Sequence, residues 1–159
     1  MNKQNRRISN IATPMLIACG LLFSGESARA DSRSDAACSN RTLSGDYGSA
    51  VEGVVLPAPG VFVPIRGVVI THYDGAGHFT QADHIVINGV APTLAWTPGT
   101  GTYHINSDCT GTAHISVSTG GFVNLALVVV KQGKQVHAVV TAPFDGPART
   151  VASVMTKVE

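Results

Sequence analysis

From Gly45 onward the apolar positions fall in short runs separated by Gly, Pro, Asn and Asp, and no run keeps a helical period. The pattern predicts strands over 45–55, 61–73, 78–88, 93–96, 101–106, 110–118, 122–131, 135–142 and 150–157. Between Thr110 and Ser118 strict alternation marks one wet face (Thr110, Thr112, His114, Ser116, Ser118) and one buried face (Gly111, Ala113, Ile115, Val117). The run 122–130 differs, being apolar on both parities apart from Asn124, as a strand covered on both sides would be. Asp74-Gly75-Ala76-Gly77 and Gln132-Gly133 read as hairpin connections, with bends at Asn88-Gly89 and Thr119-Gly120-Gly121.

Such a series of strands joined by tight hairpins predicts an all-β domain, a closed antiparallel barrel of about eight strands, because closure removes exposed sheet edges. A sandwich would also account for the doubly apolar strand, as would a barrel packed against a second subunit in a homo-oligomer. An eight-stranded lumen is either filled by side chains or left able to hold one small apolar ligand.

Composition changes the picture at the N-terminus. Lys3, Arg6 and Arg7 precede an apolar stretch from Ile11 to Phe23, and Ala28-Arg29-Ala30 follows. This is the layout of a signal peptide cleaved after Ala30, which predicts a periplasmic or secreted protein. Leu16-Ile17-Ala18-Cys19 offers the alternative of a lipoprotein anchored through Cys19, while the apolar run is too short for a membrane-spanning helix. The expected organisation is therefore a signal peptide over 1–30, a flexible lead over 31–42 and a barrel domain over 43–159. Removing Lys3, Arg6, Arg7, Arg29 and Glu26 turns the formal charge of +1 into −2, which gives nucleic acid no electrostatic footing. It also leaves two cysteines, Cys38 and Cys109, an expected disulfide in an oxidising compartment.

Three segments then stand out together: Leu43-Ser44-Gly45-Asp46-Tyr47-Gly48, Tyr73-Asp74-Gly75-Ala76-Gly77-His78-Phe79, and Gly101-Thr102-Tyr103 running into Asp108-Cys109-Thr110-Gly111. Their order resembles a group of secreted bacterial proteins similar to the allene oxide cyclase barrel. The resemblance implies a calycin-like barrel with a hydrophobic lumen, in a broad fold that includes cyclases and isomerases of apolar substrates. It does not extend to the catalytic residues of the plant enzymes.

Candidate chemistry is sparse. Glu52 sits mid-strand among apolar residues; facing the lumen it would be desolvated and suited to proton transfer, facing out it is a solubilising charge. Tyr47 and Tyr103 would line or cap the lumen, Tyr103 joining Glu52 as a catalytic candidate, or else pack with their hydroxyls on backbone. Arg66, Asn124 and His137 are candidates for orienting a polar group of a ligand, with His137 expected to be partly buried and Arg66 alternatively an exposed charge. The six histidines show no compact metal-ligand spacing, so no metal is expected, and no cofactor fingerprint, nucleophile elbow or phosphate loop occurs. The sequence thus predicts a barrel binding an apolar small molecule. Its alternatives are a cofactor-free cyclase or isomerase using the same lumen, and a structural or assembly protein with a filled barrel.

Overall fold

The computed structural model describes residues 37–118, 121–141 and 147–159. The signal-peptide and lipobox segments, with Cys19 and the cleavage point at Ala30, lie outside the described residues, as do Thr119, Gly120 and Ala142. Eight strands follow in chain order: β1 (Ser44–Ala58), β2 (Val61–Asp74), β3 (His78–Ile87), β4 (Thr97–Ile105), β5 (Thr110–Val117), β6 (Phe122–Val130), β7 (Gln135–Thr141) and β8 (Ala148–Lys157). They close into a barrel in which each strand pairs antiparallel with its neighbours in sequence and β8 returns to β1.

The parity rule of strands sets the two faces. In β1 to β6 the odd-numbered residues point inward, Tyr47 in β1, Ile65 and Tyr73 in β2, Phe79 in β3, Tyr103 in β4, Ile115 in β5 and Leu127 in β6. A short 3-10 turn over Lys131–Gly133 shifts this count, so Val136 and Ala138 are the buried residues of β7. The expected strand over 93–96 is not formed. Asn88 and Gly89 both take positive φ and fold Val90 back onto Ile87, so the chain leaves the sheet and rejoins it only at Thr97. β4 accordingly starts before Gly101, the first residue expected for it.

One end of the barrel is sealed. Residues 37–42, the described part of the expected lead, form its plug together with Leu43: Cys38 is disulfide-bonded to Cys109, a 3-10 turn spans Asn40–Thr42, and Leu43 is fully buried. The backbone N–H of Ile105 donates to Asn40 Oδ1 (2.8 Å), and that of Cys38 to the Ser107 carbonyl (3.2 Å). Above the plug Tyr73 stands at the centre of an aromatic cluster, edge-on to Tyr47 (5.3 Å between centroids) and Tyr103 (5.0 Å) and tilted against Phe79 (5.4 Å). Phe79 packs over Gly101, where any side chain would collide with its ring. The lower half of the barrel is thus core.

Candidate functional site

The upper half is a cavity. Above the floor formed by Tyr73, Phe79 and Met155 it holds about 750 Å³, opening at the end where β1 meets β2 and β3 meets β4. That volume lies within the range of small-molecule sites. Its walls are mostly aliphatic, with Val51, Ile65, Val69, Ile85, Ile115 and Leu125 prominent, and the loop carrying Val90 and Leu94 borders its mouth. Cavity and core coexist because the large aromatic residues on the inward parity are concentrated near the plug, and the same parity toward the mouth carries smaller side chains.

A few polar groups interrupt the wall. Asp83, 9% exposed, pairs in register with Val69 on one side and Thr97 on the other. Its Oδ2 accepts a hydrogen bond from the Gln81 amide (3.2 Å), and Gln81 fits because Gly99 opposite it lacks a side chain. Burial pushes the Asp83 carboxyl above the ordinary aspartate range, and the Gln81 hydrogen bond only partly opposes this. Arg149 lines the cavity from β8 near the mouth, where its Nε is enclosed without a hydrogen-bond partner among the described residues. Ser49, Thr71, Thr97 and Ser153 add hydroxyls. The lumen can therefore enclose an apolar body and meet isolated polar atoms on it.

The residues singled out from the sequence are distributed differently. Glu52 lies on the even, outward parity and is exposed, with Oε1 3.8 Å from Nε of Arg66, itself outward and exposed. The lumen-facing acid considered at position 52 is thereby replaced by a surface ion pair, since Tyr47, five residues earlier, takes the inward face. Tyr47 and Tyr103 point inward but below the cavity. The Tyr47 hydroxyl donates to the Gly133 carbonyl (2.5 Å), and the Tyr103 hydroxyl lies 3.0 Å from the carbonyls of both Asn40 and Leu43. Both hydroxyls are thus held by backbone at the plug rather than presented to a ligand, and burial pushes both phenols upward in pKa.

Asn124 is outward too, its Oδ1 2.8 Å from Nδ1 of His114. His137 is exposed on the outer wall instead of partly buried, because the 3-10 turn before β7 reverses the parity there. It borders a shallow outer depression with Ala50, Val128, Val139 and Val154, and Glu52 lies at the same depression. His72 pairs with Asp46 (2.7 Å) and His78 with Asp74 (3.3 Å), so the two histidines flanking the β2–β3 turn engage different acids. Among the described residues no three His, Cys, Asp or Glu side chains gather into a cluster fit for a metal ion.

Asp83, Gln81 and Arg149 were not singled out from the sequence. The signal for the first two was available: they share the odd parity of Phe79, Ile85 and Ile87 along β3. Arg149 fell just before the expected start of its strand at Thr150, whereas β8 begins at Ala148.

No protein-family model matches the chain, and no curated protein matches it. Among solved structures the barrel is similar to a de novo designed fluorescence-activating β-barrel, at 12% identity and a TM-score of 0.48, over 75% of this chain and 96% of that one.

Proposed function

We propose that this protein is an exported carrier or receptor that binds one apolar small molecule in its lumen. The observation that carries the reading is the cavity of about 750 Å³, sealed at its base by the aromatic cluster and open at one end. A barrel serving only as scaffold would gain stability by filling that space, since unfilled apolar volume forfeits dispersion contacts. The expected export through residues 1–30 agrees with the Cys38–Cys109 disulfide.

The test is native mass spectrometry of protein purified from its own host, joined to titration with the neutral apolar fluorophore N-phenyl-1-naphthylamine. A retained apolar compound, or saturable dye binding abolished by Val69→Trp, supports the reading. Absence of both overturns it.

A second reading, a cofactor-free isomerase or cyclase in the same lumen, rests on Asp83. It is a carboxyl group facing the cavity, raised in pKa by burial and held by Gln81, a combination suited to giving or taking a proton. Glu52 and Tyr103 have no part in it. Conversion of the retained compound by the wild type but not by Asp83→Asn, with binding intact in both, would favour this reading over simple carriage.

A further inference from the structure

Charge is distributed unevenly along the barrel axis. Arg41, Asp46, Asp74, Asp108, Lys131 and Lys134 all belong to the sealed end or the turns around it. At the open end two long stretches contain no Asp, Glu, Lys or Arg at all: Gly53 to Ile65, which forms the β1–β2 hairpin, and Ile85 to Tyr103, which includes the β3–β4 loop. The tips of both carry large apolar side chains in water. Phe62 is 68% exposed, Val90 69%, Leu94 54% and Trp96 51%.

The hairpin also projects. β2 begins at Val61 but pairs with β3 only from Ile65, with the Asn88 N–H still donating to the Pro64 carbonyl, so Val61 to Val63 overhang the neighbouring strand. Val90 and Leu94 belong to the cavity lining as well as to this rim, so on the β3–β4 loop the exposed apolar surface continues into the lumen. Isolated exposed apolar residues need no explanation, but a cluster around the mouth of an apolar cavity marks an interaction site.

We propose that the mouth docks on a lipid surface, with Phe62, Val90, Leu94 and Trp96 seated in the interfacial region, so that an apolar ligand passes between bilayer and lumen without crossing water. The docking stands on the rim, while the transfer rests on the lumen-binding reading given above. Three features favour lipid over a protein partner. Among the described residues the rim presents two separate projecting tips rather than one flat patch. Neither tip carries the Arg or ionic groups that enrich and frame protein interfaces. Aliphatic side chains beside a tryptophan suit the chemistry of a membrane interface, where any charge would oppose entry.

Contact is confined to the rim. A membrane-spanning barrel has an apolar outside and a polar inside, whereas this one has an aliphatic lumen and an outer wall on which Val68, Ile70, Val128, Val139 and Val154 are interspersed with Glu52, Arg66, His104 and His114. Because the tips are uncharged and Arg149, near the mouth, lines the lumen rather than either tip, docking requires no anionic lipid and is insensitive to salt.

The experiment uses the full chain and phosphatidylcholine vesicles. Trp96 is the single tryptophan, so its emission reports on the rim itself. The expected result is a blue shift on adding vesicles, equal at low and high salt, and weakened about tenfold or more in Phe62→Asp and, separately, in Val61→Asp, both residues being exposed on the β1–β2 hairpin and outside the cavity lining. N-phenyl-1-naphthylamine binding without vesicles, retained by both variants, establishes that they fold with the lumen intact. An unchanged Trp96 spectrum overturns the proposal, and so does a shift retained by both variants. A shift seen only with anionic vesicles and lost in salt overturns it in favour of a charge-driven contact. A shift that depends on protein concentration without lipid overturns it in favour of a second copy of the chain. Vesicle docking without dye binding supports the docking while removing the lumen reading, and dye binding without docking does the reverse.

Discussion

Gln81 and Asp83, two residues apart on β3, both face the lumen, and the amide of the first donates to the carboxylate of the second across 3.2 Å. Unfolded, Asp83 titrates near 3.8; folded, burial holds it higher. Below 3.8 the carboxyl is protonated in both states and imposes no penalty. As pH rises through the lifted value, the barrel must hold an ionised buried group, and the stability it had at low pH is lost. Asp83→Asn should therefore stabilise the protein at neutral pH and do so less at pH 4, as read from urea midpoints of variant and wild type at both values.

At the sealed end, Tyr103→Phe removes the hydroxyl shared by the carbonyls of Asn40 and Leu43, and Tyr47→Phe the one bonded to Gly133. Each should cost about 1–2 kcal/mol in chemical denaturation, since a buried acceptor is left without its donor. Dye binding in the cavity should be unchanged, because neither hydroxyl reaches it.

Reducing the Cys38–Cys109 bond, or replacing both cysteines with serine, releases the plug from the β4–β5 turn. The sequence separation is 71 residues, for which chain-entropy arguments give about 4 kcal/mol. Urea unfolding with and without reductant measures it.

Glu52→Gln should leave stability within about 0.5 kcal/mol of wild type, as an exposed ion pair contributes little. Dye affinity should likewise be unaffected. A large loss of either would place Glu52 in a role that its outward position does not give it.

Much of the barrel could be read from alternation alone. The strict pattern of 110–118 became β5, and the Asp-Gly-Ala-Gly turn is held as its composition suggests, with Asp74 Oδ1 accepting from the N–H groups of Ala76, Gly77 and His78. Backbone donors hold that carboxyl below its usual range. The segment 93–96 misled because Leu94 and Trp96 look like strand residues; the bend at Asn88-Gly89 was legible, but not that it carries the chain out of the sheet as far as Thr97. The site was harder still. Glu52 drew notice as an acid among apolar neighbours, yet its parity opposes that of Tyr47, and a tyrosine held at the core outranks a carboxylate for the inward face. Asp83 was legible only through its parity with Phe79 and Ile85, a relation along the strand rather than a motif.

The order of pairing around the ring also bears on how the chain finds its fold. Each strand meets its predecessor through a local connection, and only β1 against β8 joins segments from opposite ends of the domain. That last pairing carries the loop-closure entropy of the whole circuit. Cys38 lies just before β1 and Cys109 just before β5, so the bond between them tethers the first strand to the middle of the chain. With that tether in place, β8 has to travel back only from the fifth strand's end of the circuit. Oxidation before closure should therefore speed the final step of folding, making the disulfide an aid to assembly as well as to the finished barrel.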